Sequence, residues 1–379
     1  MGVGLVALLA GVALLGRGGA APDAAGTKQA AAPKGSPQGT SRMTGTPGQA
    51  GAAAGEEARG ARFDATTCWR DLERFNEDVT LENFRDWAAP LLNSGDALVR
   101  NYLKERLTEL IGNDPARASE VLDWSLEAQG KSFGMYLMAV RDSEAVQLPQ
   151  VSAKLLDLGL DERIAPERRA GLLSALDTQK KLAPAALDRL SAFASSPAPG
   201  EAGWAAARTI GRVMKRDAKN NGDLTPYLDK LLTIGVESPD EQIRYLGQMM
   251  PMHSAPILDA RSTERYAQIL TTEGNENGRD AAAHMLSLSP EKEKVLALFQ
   301  KTFENDPAVC VRWALFRFSA RVAGKDALPV MANMAVVDAR FQPVYRAFEQ
   351  LYASGELDWV RLWNSLPDQD PFHCLDRHD

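Results

Sequence analysis

The chain has 379 residues, with 43 Lys and Arg against 50 Asp and Glu, so its formal net charge at pH 7 is −7. Apolar residues make up 45% and charged residues 25%, a composition that excludes a wholly disordered, collagen-like or multispanning membrane protein. The acidic balance argues against a general binder of nucleic acid or anionic lipid, because phosphate groups attract a basic surface. Three cysteines are too few for a disulfide framework.

Residues 1–20 have the features of a signal peptide. Residues 3–16 form an uncharged apolar run, which is shorter than the roughly 20 residues that a membrane-spanning helix needs. Gly18 and Ala20 are small enough for the last positions before a cleavage site. No basic residue precedes the run and Arg17 follows it, so an uncleaved anchor and a misassigned start are the alternatives. We expect an exported protein (periplasmic, secreted or membrane-anchored), and a cytoplasmic one if this segment is not a signal.

Residues 21–62 differ in composition from the rest of the chain. They are mostly Ala, Gly, Pro, Ser and Thr with scattered charges, and Met43 is their single large apolar side chain. Such a segment buries too little apolar surface to offset the entropy lost on ordering. The sequence therefore predicts a disordered linker, either a tether or a spacer.

Residues 63–366 have a helical pattern throughout, with no convincing alternation of the kind that predicts strands. Candidate helices of 10 to 16 residues alternate with short breaks that contain Pro, Gly, Asn or Asp. One such helix places Tyr227, Leu228, Leu231 and Leu232 on one face. The pattern predicts an all-α fold, followed by a polar tail at residues 367–379.

The breaks recur at regular intervals of 29 to 39 residues. Two antiparallel helices with their turns need about this length, so the spacing predicts one helical hairpin per interval. The breaks lie near Gly95, Gly130, Pro166, Gly200, Pro239, Asn277, Asp306 and Asp338.

A short motif accompanies several of these breaks: a turn residue, three further residues, a small aliphatic residue and then Arg. It occurs at Gly95–Arg100, Gly203–Arg208, Pro239–Arg244 and Pro307–Arg312. The motif resembles the Asp-Pro-x-x-x-Val-Arg stretch of the HEAT-repeat family. The resemblance covers about residues 80–350 and is clearest at residues 306–323. A tetratricopeptide-type array or a compact helical bundle is the alternative architecture.

The resemblance implies a right-handed α-solenoid of about seven to eight hairpins with a concave binding surface. Arg208, Arg244 and Arg312 then lie either on the concave face or, the stronger expectation, between successive repeats, where they serve packing.

The C-terminal tail contains two candidate sites. His373, Cys374 and His378 have side chains that bind Zn²⁺ or copper, which predicts a metal site, although the spacing is not an established zinc motif. A solvated polar tail is the alternative. Cys68 and Cys374 flank the folded region, which predicts a disulfide if the fold brings its ends together. Free thiols or a bridge to another chain are the alternatives, and Cys310 is expected to be a buried apolar side chain.

No phosphate-binding, dinucleotide-binding, zincin or hydrolase motif occurs in the sequence. We therefore expect a helical-repeat scaffold that binds a protein or peptide, without catalysis and without a cofactor. The alternatives are a helical enzyme or metal-binding protein that uses the tail, and a cytosolic adaptor of the same architecture. Nucleic acid is not an expected partner.

Overall fold

The computed structural model describes residues 73–92, 96–254 and 258–375, all of which belong to one compact unit, Phe63–Asp379. The predicted signal peptide, the predicted linker, Cys68 and His378 lie outside the described residues.

The described residues are helical and contain no β-strand. None of the described helices is both long enough and apolar enough to cross a bilayer. The helices are α1 (residues 73–78), α2 (Phe84–Leu92), α3 (Ala97–Ile111), α4 (Pro115–Glu127), α5 (Lys131–Asp142), α6 (Pro149–Leu160), α7 (Pro166–Ala175), α8 (Pro184–Ala194), α9 (Gly200–Lys219), α10 (Thr225–Glu237), α11 (Glu241–Met249), α12 (Ala260–Thr272), α13 (Glu276–Leu286), α14 (Lys292–Asn305), α15 (Val309–Ala323), α16 (Leu328–Val337), α17 (Gln342–Ala353) and α18 (Trp359–Ser365).

The helices pack in pairs, and the pairs form two layers. Each even-numbered helix from α2 to α16 contacts the odd-numbered helix that follows it. From α4 to α16, each even-numbered helix also contacts the next even-numbered one, and the odd-numbered helices from α3 to α15 do the same. We call these the even layer and the odd layer. Because an odd helix is covered by its pair partner and by its two neighbours, its exposed residues lie on the remaining side, the outward face of the odd layer.

The predicted breaks that fall within the described residues lie at or beside the turns within the pairs, and Gly95 lies outside those residues. Gly130 precedes α5 with a φ of 53°, and Gly200 begins α9 with a φ of 52°, a left-handed conformation that favours glycine. Pro166 is the first residue of α7, where its missing N–H costs no helix hydrogen bond. Asp240 caps α11 by accepting hydrogen bonds from the backbone of Gln242 and Ile243. The interval between predicted breaks therefore corresponds to one pair of helices.

The core consists of two clusters of buried side chains, which meet at α10. Tyr227, Leu228, Leu231 and Leu232 are all buried, as predicted for one apolar face. However, Tyr227 and Leu231 belong to the cluster that covers residues 75–250, whereas Leu228 and Leu232 belong to the cluster that covers residues 228–374. Both parts of the chain therefore bury side chains of the same helix.

Helices α10 and α11 cross at two glycines, Gly235 and Gly247. A Cβ atom added at Gly247 would lie 2.7 Å from the carbonyl oxygen of Leu231 and 2.8 Å from the backbone nitrogen of Gly235. Backbone atoms cannot turn aside as a flexible side chain can, so any side chain here forces the two helices apart.

We expect Gly247→Ala to lower the free energy of unfolding by about 1–3 kcal/mol, because an added methyl group overpacks this crossing. Gly134→Ala is the matched control. A Cβ atom at Gly134, within α5, meets nothing within 4 Å, so the gain in helix propensity adds up to about 1 kcal/mol of stability. Urea denaturation of both variants checks this, and an unchanged midpoint for Gly247→Ala would contradict the crossing geometry.

Candidate functional site

Arg244, in the first turn of α11, joins two successive hairpins. Its Nη1 donates to the carbonyl oxygens of Ser238 and Pro239, each at 3.1 Å, in the turn before α11. Its Nε donates at 3.1 Å to Oε2 of Glu273, which follows α12 in the next hairpin. Burial alone would raise the pKa of Glu273. Hydrogen bonds from Arg244, the backbone of Asn275 and Gln248 outweigh the burial, so the pKa lies below its usual value.

The same arrangement recurs at the two following hairpins. Arg279 donates to the carbonyl oxygens of Glu273 and Gly274, each at 2.9 Å, and to both carboxylate oxygens of Asp306, at 2.7 and 3.0 Å. Arg312 donates to the carbonyl oxygen of Asp306 at 2.8 Å and to Oδ2 of Asp338 at 3.0 Å. We call these three arginines and their carboxylates the arginine ladder. Each rung connects the turn of one hairpin to the turn of the next.

The pKa of Asp338, in the last rung, is lowered to about 2. Hydrogen bonds from Arg340 are the largest cause, and the backbone of Arg340 and the side chain of Arg312 add to them. Burial acts in the opposite direction and is outweighed. The carboxylate at this rung is therefore ionised throughout the neutral range.

The three predicted arginines divide between two environments. Arg244 and Arg312 are rungs of the ladder, whereas Arg208 lies nine residues into α9 and stacks on the ring of Trp204, with its Cζ atom 5.0 Å from the ring centroid. Among the described residues Arg208 makes no ion pair. Gly203, predicted to be the turn residue of the motif that ends at Arg208, does not lie in a turn, because α9 begins at Gly200 and continues through it.

Sequence reasoning missed Arg279 because glycine precedes it where the motif has an aliphatic residue. A Cβ atom at Gly278 would lie 2.3 Å from Oε1 of the buried Gln248. A larger residue at this position would displace Gln248 of the neighbouring hairpin, which is hydrogen-bonded to Gly235 and Glu273. The sequence still contained one signal for Arg279. A helix-capping residue, Asn275, stands four positions before it.

A cavity of about 220 Å³ adjoins the first rung of the ladder. The C-terminal ends of α10 and α12 line it, together with Arg244 and Glu273. These two charged groups are bonded to each other, so the polar lining serves the contact between the hairpins.

The outward face of the odd layer is exposed at α5 and α9. Met138 and Trp204 are each 36% exposed on it. In α9 exposed or half-buried positions recur every three or four residues from Trp204 to Lys219, as expected for one face of a helix. Side chains of several chemical types are thus presented to solvent on a rigid layer.

Residues 358–375, which we call the C-terminal segment, cover the corresponding face of α15. The ring of Trp313 lies 6.3 Å from that of Trp363 and 5.9 Å from that of Phe372, measured between centroids. Arg317 lies beneath Trp363, at 5.9 Å from its centroid, and donates to Asp280 of α13 at 3.1 Å. Burial lowers the pKa of Arg317, and the carboxylates of Asp280 and Asp370 partly offset this effect.

A disulfide between Cys310 and Cys374, with Cα atoms 5.4 Å apart, fastens the C-terminal segment to α15. The prediction that Cys374 pairs with Cys68 is therefore wrong. Cys310 is buried in the core, as predicted, but it also forms the disulfide, which was not predicted. The reason is a local turn: the Asp370 carboxylate accepts hydrogen bonds from the backbone of Cys374 and Leu375. The turn and the aromatic contacts bring Cys374 to the first turn of α15, away from the start of the fold.

The predicted metal ligands do not converge within the described residues. The sulfur of Cys374 is bonded to Cys310, so it is not a thiolate, and the side chain of His373 is exposed. His378 lies outside the described residues. In the part of the chain that the structure describes, no group of three or more His, Cys, Asp or Glu side chains is placed to hold a metal ion.

His284 is a buried titratable group between α13 and α15. Arg321 Nη1 and His284 Nε2 are 3.2 Å apart, and the imidazole packs edge-on against Phe318 with centroids 5.1 Å apart. Burial lowers the pKa of His284 to about 4, and the charges of Arg321 and Arg317 add to this effect. The ring is therefore neutral at pH 7 and accepts a hydrogen bond from Arg321.

We expect Arg279→Ala to destabilise the fold by about 3–5 kcal/mol, because it leaves the carboxylate of Asp306 buried without its partner. The side chains of Arg279 and Asp306 are only 11% and 4% exposed. Arg361→Ala is the control. Its pair with Asp358 is 76% and 60% exposed, so the loss is below about 1 kcal/mol. Chemical denaturation measures both, and equal losses would contradict a structural role for the ladder.

We expect the protein to lose stability as the pH falls from 6.5 towards 4. The unfolded state, in which the pKa of His284 returns to about 6.5, binds a proton in this range that the folded state excludes. His284 takes nothing from the free energy of unfolding above pH 6.5. The loss grows as the pH falls and reaches up to about 3 kcal/mol near pH 4. His284→Gln flattens this part of a pH–stability profile, whereas His373→Asn at the exposed histidine leaves it unchanged. Identical slopes in the two variants would contradict the burial of a neutral His284.

No protein-family model, no curated protein and no solved structure matches the chain. Its function is therefore argued from the arrangement of its own residues.

Proposed function

We propose that the chain is an exported or membrane-tethered scaffold, built as a HEAT-like α-solenoid, that binds a protein or peptide partner without catalysis of its own. The ladder supports this architecture, because its arginines follow one another at intervals of 35 and 33 residues and occupy the same position in successive hairpins. The two layers support it too. Within each layer a helix contacts the helices directly before and after it, as in a stack of repeats.

The observation that carries the binding proposal is the covering of α15 by the C-terminal segment. Tyr245, Asp280 and Trp313 each follow a ladder arginine directly, so they take equivalent positions on α11, α13 and α15. At Trp313 this face is occupied by the C-terminal segment of the same chain, through Trp363 of α18, which also lies over Arg317, and through Phe372 beyond that helix. The outward face thus accommodates a peptide segment in one place and is exposed at α5 and α9, where Met138 and Trp204 are accessible.

The disulfide supports export. Thiols of cytosolic proteins are kept reduced, whereas disulfides form and persist in the periplasm and outside the cell. Cys310 and Cys374 are paired, and both sulfur atoms belong to buried residues at the contact between α15 and the C-terminal segment. A cytosolic adaptor would keep these two thiols reduced.

We test this proposal by crosslinking in the native host. A photoreactive phenylalanine analogue replaces Met138 or Trp204 on the outward face and, as the control, the exposed Lys301 of α14 in the even layer. We expect discrete adducts with one protein from the first two positions and none from Lys301. The intact mass of the uncrosslinked protein is expected to lack residues 1–20, or to retain them in the membrane fraction, and to rise by two hydrogen atoms on reduction.

The absence of adducts at Met138 and Trp204, or equal adducts at Lys301, would overturn binding through the outward face. A full-length, reduced protein in the soluble fraction would overturn export and favour the cytosolic adaptor.

A further inference from the structure

A row of basic side chains runs along the exposed side of α9. Arg208, Arg212, Lys215 and Lys219 follow one another at intervals of three or four residues, after Trp204. Residues at this spacing lie on one face of a helix. The row is cationic although the chain as a whole carries a charge of −7.

The acidic residues of α9 do not neutralise this row. Glu201 lies in the first turn, before Trp204, and Asp217 is buried. Among the described residues, neither Lys215 nor Lys219 forms an ion pair, so their charges face solvent.

The positive charge continues from α9 onto the neighbouring helices. Arg141 of α5 donates at 3.1 Å to Asp177, which follows α7, and Arg212 donates to the other oxygen of the same carboxylate. Arg216 donates to the carbonyl oxygens of Asp177 and Gln179. The side chain of Asp177 is only 5% exposed. Two guanidinium groups therefore share one carboxylate, and a third binds the backbone carbonyl of the same residue.

A second carboxylate near this cluster is already engaged. Asp142 lies 3.9 Å from Arg141 but pairs at 3.0 Å with Lys104. The cluster thus keeps an excess of positive charge, and the fixed pairing with Asp177 orients Arg141 and Arg212 at the surface.

Arg208 differs from the other cations of the row because it packs on an aromatic ring. Its guanidinium, with its N–H donors, lies over the ring of Trp204, and this cation–π contact holds the group in place. Trp204 offers apolar area beside these donors. Such a pair binds a carboxylate next to an aliphatic or aromatic side chain.

We propose that this row, together with Arg141, binds an extended acidic peptide segment of the partner. The inference rests on the proposed function and specifies the chemistry of the partner. Cations one helical turn apart are spaced at about 5.4 Å, and alternate side chains of an extended peptide at about 6.6 Å. The row from Trp204 to Lys219 spans about 22 Å, the length of about seven extended residues.

A peptide suits the row better than a long polyphosphate. The arginine fork matches a carboxylate with two parallel hydrogen bonds, as Arg279 and Asp306 show within this chain. A nucleic acid or a bilayer extends well beyond a single helix and would meet the acidic remainder of the surface. A short segment with Asp at alternate positions contacts only the basic row.

We test this inference by fluorescence anisotropy with the full chain. The probe is a labelled heptapeptide with Asp at alternate positions and one Leu near an end, and its counterpart has Asn in place of Asp. We expect the Asp peptide to bind at least tenfold more tightly than the Asn peptide, with an affinity that falls as salt is added.

Arg208→Glu combined with Lys215→Glu is expected to weaken binding of the Asp peptide at least tenfold, because two attractive contacts become repulsive. Neither residue has an ion pair on which the described fold depends. The matched control is Lys292→Glu combined with Lys301→Glu, at exposed positions of α14 in the even layer. It changes the net charge equally, and we expect it to leave binding within about twofold of the unsubstituted chain.

Failure of the Asp peptide to bind, equal binding of the Asn peptide, or equal losses in the two double variants would overturn the inference. Tighter binding of a single-stranded oligonucleotide or of phosphatidylserine vesicles would overturn it in favour of that partner class. The crosslinking experiment distinguishes failure of this inference from failure of the proposed function. Adducts at Trp204 and Met138 that survive Arg208→Glu with Lys215→Glu would leave the scaffold in place while contradicting an acidic partner segment.

Discussion

The pairing of an arginine with a buried carboxylate of the next turn is the constraint on which the C-terminal half of the stack depends. Apolar packing between helices tolerates small sliding movements, because dispersion contacts have little directionality. An arginine that holds the carbonyl oxygens of one turn and the buried carboxylate of the next tolerates much less, because any slip leaves the buried carboxylate unpaired. Arg244, Arg279 and Arg312 therefore set the register between hairpins, and the register decides which side chains reach the outward face.

The outward face has a different chemistry in its two parts. Over α15 it is aromatic, with Arg317 held between rings, and the C-terminal segment covers it and is fastened by a disulfide. Over α9 it is basic and exposed, with one aromatic ring at the start of the row. Both parts combine guanidinium groups with aromatic rings, a combination that is enriched at protein interfaces.

The helical class and the recurrence of the hairpins could be predicted from the sequence, because turns depend on local residues such as Gly130, Pro166 and Gly200. Arg279 could not, since Gly278 stands where the motif has an aliphatic residue and packs against the side chain of Gln248 from the neighbouring hairpin. Cys310 and Cys374 are 64 residues apart, and only the folded C-terminal segment brings them together. The basic row could not be predicted from the sequence either, because its common face appears only once α9 is known to run unbroken from Gly200 to Lys219.

Helix α10 has a consequence for how the molecule unfolds. Tyr227 and Leu231 are part of one core cluster, and the adjacent Leu228 and Leu232 are part of the other. Neither half can lose its structure at this boundary without uncovering apolar side chains of the other half. In a linear array of repeats, coupling between neighbours sets the cooperativity of unfolding. A single shared helix therefore ties the two halves into one cooperative transition, and a change that weakens α10 would separate that transition into two.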